Sequence, residues 1–452
     1  MQCENRGGMD VNLNKIIKRI TPSDEEHKTE LKLVERLHEL IEEYDVEPIL
    51  VGSLAKETDL AGNKDIDFFI QFQSDVSREE LERQGLKIGK EVFKKLGAEY
   101  EIDYAEHPYV KGKYLEHTIE IVPCYKDNKK MSSVDRTPYH TKYVKGKTTG
   151  NDLKDQIRLL KQFMTATGVY GAEAKIEGFS GYLAELLMIH YGSFTKVLEA
   201  AKDWKIPEVI DTEKQWENPN SLTKFFTNAN LVVIDPVDKT RNVAAAVSTE
   251  CLSKFIVTSN QYLQNPSEEH FFPKEKQMRS KEELIEAMYA RGTKFTAIVF
   301  EHDKINANTL YAQLRKTTKQ IVKDLEMQEF KIFKTAFWTN EKDKSIILLE
   351  LEVWELPELT HHQGPPTSQD PKNQERFTQK YQKDKPYIKD GRWVVDTKRK
   401  HTNHHTALQE IINGKEGFGK NIKETRKIIV ENEKILEFES KKWRDYFNRI
   451  II

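Results

Sequence analysis

At 452 residues the chain exceeds what one ordinary hydrophobic core organises, so roughly two to four domains are expected. Its 71 Lys and Arg against 73 Asp and Glu leave a formal charge of −2, so whole-molecule attraction to nucleic acid is not signalled and any polyanion must meet a local patch. Cys3, Cys124 and Cys251 show no CxxC spacing, which excludes a disulfide framework and a cysteine zinc site. No apolar run nears the ~20 residues that span a bilayer, and MQCENRGGMD lacks a signal-peptide core, so the protein reads as cytoplasmic.

In chain order, Thr21-Pro22 with Asp24 suggests a helix start, followed by Leu33, Val34, Leu37, Leu40 and Ile41 at helical spacing. The short apolar strand 48–51 ends at Gly52-Ser53, and a second strand runs from Asp65 to Phe72. A helix over 77–96 and strands near 100–104 and 118–122 complete a mixed first domain, 1–145. Residues 146–260 turn mostly helical, with Leu153, Ile157, Leu160 and Phe163, then 182–191, then 241–257. Residues 261–360 carry a strand, a long amphipathic helix over 306–329 and two hairpin strands, a β-α-β-β order that suggests a small ferredoxin-like layer. The segment 361–405 is polar and loop-like, and helix returns from Leu408, so 361–452 reads as an α-rich tail. The fold class is therefore α+β and multidomain.

The chemistry concentrates on Asp65-Ile66-Asp67-Phe68-Phe69-Ile70-Gln71-Phe72. Strand alternation puts Ile66, Phe68, Ile70 and Phe72 on one face and the two aspartates on the other. Packing gains nothing from two like charges side by side, whereas a divalent cation offsets their repulsion, and magnesium prefers such oxygen ligands. In His117-Thr118-Ile119-Glu120-Ile121-Val122 the same alternation sets Glu120 opposite two isoleucines. If the two strands are neighbours, three carboxylates converge and can hold two metals. Gly52-Ser53 offers amides and a hydroxyl to phosphate oxygens, with eleven residues separating Ser53 from Asp65 and Lys56 within that span. A Gly-Ser pair alone is usually a turn; joined to D-x-D it points to phosphate chemistry.

G-S-x11-D-I-D resembles the signature of the DNA polymerase β-type nucleotidyltransferases. Longer stretches narrow the resemblance: 51–58, 119–125, 135–140, 158–163, 168–173 and 179–182. Asp235-Pro236-Val237-Asp238, Arg241-Asn242-Val243-Ala244-Ala245 and His362-Gln363-Gly364-Pro365-Pro366 add to it. Together they resemble the class I, archaeal-type CCA-adding tRNA nucleotidyltransferases over nearly the whole chain. That resemblance implies a polymerase β-like palm, a helical poly(A)-polymerase-like nucleotide-binding domain, an α/β body and a tRNA-holding tail. It implies Mg2+ at Asp65, Asp67 and Glu120, with ATP and CTP contacted through Gly52, Ser53, Lys56, His140, Lys161 and Tyr170. Arg241 resembles the arginine that reads the edge of the incoming base, and a guanidinium suits acceptors shared by cytosine and adenine. Plainer readings stand beside these: a solvated charge at Lys161, a core aromatic at Tyr170, an exposed loop histidine at His140, and an Arg241 paired with Asp235 or Asp238.

The strongest basic patch, 380–400, holds eight Lys and Arg against three Asp, interleaved with Tyr381, Tyr387 and Trp393. By charge alone it reads as a solvated face; the resemblance makes Lys385, Arg392, Lys398 and Arg399 contacts for the acceptor and T arms of tRNA. His361, His362, His404 and His405 are not read as a metal site, since they fall in polar segments without carboxylate or cysteine partners at ligand spacing. Cys124 reads as a small packed thiol rather than a nucleophile. A poly(A) polymerase or oligoadenylate synthetase-like transferase shares these domains, and a non-catalytic RNA-binding protein is the rival of another class. A homodimer stays open.

Overall fold

The computed structural model describes residues 11–104, 106–126, 132, 134–274, 277–438 and 441–451, so Cys3 lies outside the described residues. The chain divides into two compact units, Met1–Glu275 and Lys276–Ile452, and the expected boundaries at 145 and 360 fall inside them.

The first unit opens with α1 (Leu13–Ile20) and α2 (Asp24–Glu42). The expected start at Thr21 is corrected: Thr21 closes α1, and Ser23 caps α2 by accepting from the Glu26 amide. Asp24, Glu25 and Glu26 then fill the first turn, where the helix dipole favours acids. There follow β1 (Glu47–Val51), α3 (Gly52–Lys56), β2 (Asp65–Phe72), α4 (Arg78–Leu96), β3 (Tyr100–Tyr104), β4 (Pro108–Tyr114) and β5 (His117–Tyr125). Sequence reading missed α1 and β4. The sheet order is β1-β2-β5-β4-β3, with β2 and β5 parallel and the other pairs antiparallel. Ile66, Phe68, Ile70, Ile119 and Ile121 are buried in one core with Leu33, Leu37 and Ile41 of α2 and Ile88, Val92 and Phe93 of α4. Covering that face leaves the other for chemistry.

Helices α5 (Thr137–Lys147), α6 (Asn151–Thr167), α7 (Gly181–Tyr191) and α8 (Phe194–Ala201) come next. Phe163, Phe179, Phe194, Phe255 and Phe271 fill their common core. A small sheet of β6 (Glu208–Ile210), β7 (Leu231–Asp235) and β8 (Asp238–Asn242) interrupts them, with α9 (Pro219–Phe225) between β6 and β7. Helix α10 (Thr249–Gln264) starts only at the Ser248 cap, so Arg241 sits on a strand and not on the expected helix. The Asn242 carboxamide explains this, accepting from the Val233 amide and donating to the Leu231 carbonyl, which fixes the chain against β7.

The second unit holds α11 (Lys281–Ala290), β9 (Lys294–Glu301), α12 (Ala307–Glu326), β10 (Lys331–Thr339) and β11 (Lys344–Val353). After β12 (Leu359–Pro366), α13 (Pro371–Lys380), β13 (Tyr387–Lys389) and β14 (Arg392–Lys398), the chain continues through α14 (His404–Gly414), α15 (Lys420–Lys423), β15 (Arg426–Glu431) and α16 (Lys441–Ile450). The main sheet runs β10-β11-β9-β15, the antiparallel order of a ferredoxin-like layer. Its fourth strand lies where continuous helix was expected. Ile298 and Phe300 pack toward α12 and α14, while Ala297 and Val299 face Trp443 and Phe447 of α16. Burial on both faces accounts for the unbroken apolar run Ile346 to Leu349. The segment read as a polar loop is ordered too: β12, β14 and β13 form a three-stranded sheet with Phe377 of α13 buried beside it. Among the described residues no helix is long and apolar enough to cross a membrane.

Candidate active site

Strand register builds the site. Val51 of β1 lies opposite Asp67 of β2, Asp67 opposite Glu120 of β5, and Glu120 opposite Lys111 of β4. The expected neighbouring of the two acidic strands is present, with Asp65 two residues along the same face. Burial first, then the charges of Glu120 and Asp65, push the Asp67 carboxyl up to about 7, and Lys56 and Lys111 offset this only in part. Among the described residues no three Asp, Glu, His or Cys side chains are gathered closely enough to enclose an ion as they stand. Glu120 instead accepts from Lys111 Nζ at 2.5 Å. The donor set fits a hard divalent cation in its chemistry, because three carboxylates on adjacent strands repel one another and offer only oxygen ligands.

Gly52 is required twice. Its φ of 74° is left-handed, and a Cβ there would stand 2.0 Å from Asp67 Oδ2. Gly52→Ala is therefore expected to displace Asp67, cutting any turnover that depends on that carboxylate roughly 10²-fold or more. The accompanying stability loss should be only about 1 kcal/mol. Comparing kcat with thermal melting checks this, and full activity in the variant would refute it.

Beyond Gly52, the end of α3 joins a buried ionic network. Lys56 Nζ lies 2.6 Å from Glu185 Oε2, and Lys161 Nζ donates at 3.0 Å to Glu185 Oε1. Lys161 also donates to the carbonyl and hydroxyl of Thr58, each at 3.0 Å, and that hydroxyl donates to Glu185 at 2.7 Å. Glu185 is fully buried, which would raise its pKa, yet the Lys161 and Lys56 ammonium groups hold it down at about 2. Lys161, read plainly as a solvated charge, is 1% exposed. Tyr170 is half-buried, with its hydroxyl so near Gly181 that a Cβ there would approach to 3.0 Å.

A cleft of about 640 Å³ is lined by Gly52, Ser53, Lys56, Asp65, Asp67, Glu120, Lys161 and Tyr170. Eight of the residues singled out from sequence thus meet at one place. His140 and Arg241 meet each other at Asp235 instead: His140 Nε2 lies 2.8 Å and Arg241 Nη1 2.7 Å from its Oδ2. So the pairing weighed for Arg241 is present. Burial pulls the His140 pKa below its usual value, and the ring stacks on Tyr182 at 4.1 Å. The Tyr182 hydroxyl donates to Asp235 at 3.1 Å, and Tyr182 also lines the cleft, linking the two clusters. Against burial, His140, the Val237 amide and Arg241 hold the Asp235 carboxyl below the ordinary range.

Sequence reading missed Lys111, Thr58, Tyr182 and Glu185. A signal existed for Glu185, a lone carboxylate inside the apolar run Leu183 to Met188. In the second unit Lys385, Arg392 and Lys398 are exposed, but the Arg392 guanidinium donates to the Gly364 carbonyl, and Arg399 is paired with Glu329. Two of the histidines hydrogen-bond single carboxylates: His361 bonds Asp396 at 2.5 Å, and His405 bonds Glu431 at 2.7 Å. Cys124 is buried, and burial raises its thiol pKa, as a packed thiol requires.

The palm and its acidic face define a nucleotidyltransferase, and the family profile described as "Nucleotidyltransferase domain" matches residues 31–140. Two further profiles match: "tRNA nucleotidyltransferase, second domain" over 155–272 and "CCA-adding enzyme, C-terminal domain" over 291–436. The chain is 36% identical over 418 residues to the CCA-adding enzyme of Methanothermobacter thermautotrophicus, covering 89% of this chain and 88% of that protein. It is 35% identical over 453 residues to that of Methanocaldococcus jannaschii, covering 97% of each. Among solved structures it is similar to the Cid1 poly(U) polymerase, with a TM-score of 0.47, 15% identity, and 56% of this chain and 94% of that one covered. The chain belongs to the archaeal-type CCA-adding enzyme family of tRNA nucleotidyltransferases.

Proposed function

We propose that the protein adds C, C and A stepwise to the 3′ end of tRNA, taking CTP and ATP and releasing pyrophosphate. The observation that carries the chemistry is the register Val51–Asp67–Glu120, which sets the Gly52-Ser53 turn beside two carboxylates on one face. Family membership supports the choice of substrate. Asp65, Asp67 and Glu120 would hold the metal. Divalent ions, Mg2+ in this reading, supply Lewis acidity at the attacking hydroxyl and the leaving oxygens when bound. The amides and hydroxyl at Gly52-Ser53 cradle the triphosphate, and Lys56 neutralises part of its charge. Lys161 and Tyr170 shape that wall from the helical side. Arg241, held by Asp235, presents its remaining donors to the base, and the His140 ring keeps Asp235 in place.

In the second unit, exposed Lys385 and Lys398 serve phosphates of the acceptor and T arms, with Tyr387 beside them. The cytoplasm, where tRNA and both nucleotides are found, is the compartment this reading assigns. Incubating the protein with tRNA that ends at the discriminator base, with CTP alone, ATP alone and both, tests it. Two C additions with CTP and a further A with both are expected; untemplated addition of A alone, or no extension, refutes it.

A further inference from the structure

The carboxylates are flanked by a cation on each side. On the β1 side stands Lys56, already engaged by Glu185. On the β4 side stands Lys111, 2.5 Å from Glu120 Oε1, with its side chain one-third exposed in the same cleft. The Gly52-Ser53 turn leaves β1, and the triphosphate it cradles in that reading, with its departing pyrophosphate, lies on that side of the sheet. In-line displacement puts the attacking hydroxyl opposite the leaving group, so the terminal nucleotide of the RNA approaches over β5 and β4. That strand brings its own phosphodiester toward a row of acids, where an ammonium is needed.

Resting on the reading above, we propose that Lys111 is a tethered cation which holds Glu120 in the metal-free site. It yields that carboxylate when a divalent ion binds, and the freed ammonium then grips the terminal phosphodiester of the RNA. Glu120 makes such a hold useful. Its side chain has one more rotatable bond than an aspartate, and its partner across the strand register is Lys111. A tethered ammonium and a divalent ion drawn to the same carboxylate repel each other, so they compete, and Lys111 is a positioning residue whose removal should favour the metal.

Calorimetric titration of Mg2+ into the full-length protein, without nucleotide or RNA, reads the competition directly. Lys111→Met should bind Mg2+ roughly three- to tenfold tighter than wild type, while Lys111→Arg, which keeps the charge, should bind as wild type does. In steady state, Lys111→Met should raise the KM for tRNA roughly tenfold and that for CTP less than about twofold, with Lys111→Arg restoring most of the difference. Unchanged or weaker Mg2+ binding in Lys111→Met overturns the proposal, as does an unchanged KM for tRNA. A wild-type protein that binds Mg2+ but extends no tRNA would instead sink the functional reading, and the titration would still decide the competition.

Discussion

Asp67→Asn is expected to reduce nucleotidyl transfer roughly 10³-fold or more while leaving the palm folded. The substitution keeps the shape of the side chain and removes the charge that lies between Asp65, Glu120 and Gly52. Stability should move the other way. With its folded pKa raised from 3.8 to about 7, Asp67 binds more protons in the native than in the unfolded state between those values. Native stability therefore falls as pH rises across that window, and the full cost is present above pH 7. Metal-free Asp67→Asn should accordingly melt at or above the wild-type temperature at pH 8 and lose that advantage near pH 4. Adding Mg2+ should raise the melting temperature of wild type and not of the variant, because only the native carboxylates gather the ion. A lower melting temperature for the metal-free variant at pH 8 would contradict this account, as would retained transfer. The same competition between proton and metal predicts that wild-type activity falls as pH drops through about 7 at limiting Mg2+, and that excess Mg2+ moves the fall to lower pH.

What could be read from sequence followed from how local the signal was. The period-two alternation of Asp65 to Phe72 is written within eight residues, and it located both carboxylates and the face they occupy. Glu120 needed one long-range assumption, that β5 neighbours β2, which the parallel register supplies. Lys111 had no such signal: β4 is a short strand of mixed polarity, and the lysine matters only because β4 pairs with β5. The strand carrying Arg241 was misread because Ala244 and Ala245 suit a helix, while the bonds that hold Asn242 to β7 are invisible locally. Likewise β15 is a strand because β9 offers an open edge, not because Arg426 to Glu431 alternate. Polarity misled in the segment 361–405. There a few apolar residues, Phe377, Val394 and Val395, suffice for a small sheet layer that composition alone suggests is loop.

Glu185→Ala should destabilise the first unit by roughly 3–5 kcal/mol, because it strands two buried ammonium groups on one missing carboxylate. The melting temperature should drop on the order of 10 °C. Glu185→Gln keeps hydrogen-bonding capacity and should lose less, while Lys161→Met leaves a one-to-one Lys56–Glu185 pair and should lose least of the three. The pH dependence separates this from a packing defect. Glu185 has its folded pKa depressed from 4.5 to about 2, so its contribution is fully present above 4.5 and is lost as pH falls toward 2. Wild type and Glu185→Gln should therefore converge in stability as the pH is lowered through that window, whereas a loss of packing alone would persist there. Lys56 gives the same network a consequence for activity. Without Glu185 its ammonium loses the contact that holds it at the cleft wall, so, on the proposed function, the nucleotide KM should rise even where Glu185→Gln remains folded. Melting curves at pH 3.5 and 7.5, together with nucleotide KM values, check both halves; a pH-independent difference with unchanged KM would leave Glu185 as packing alone.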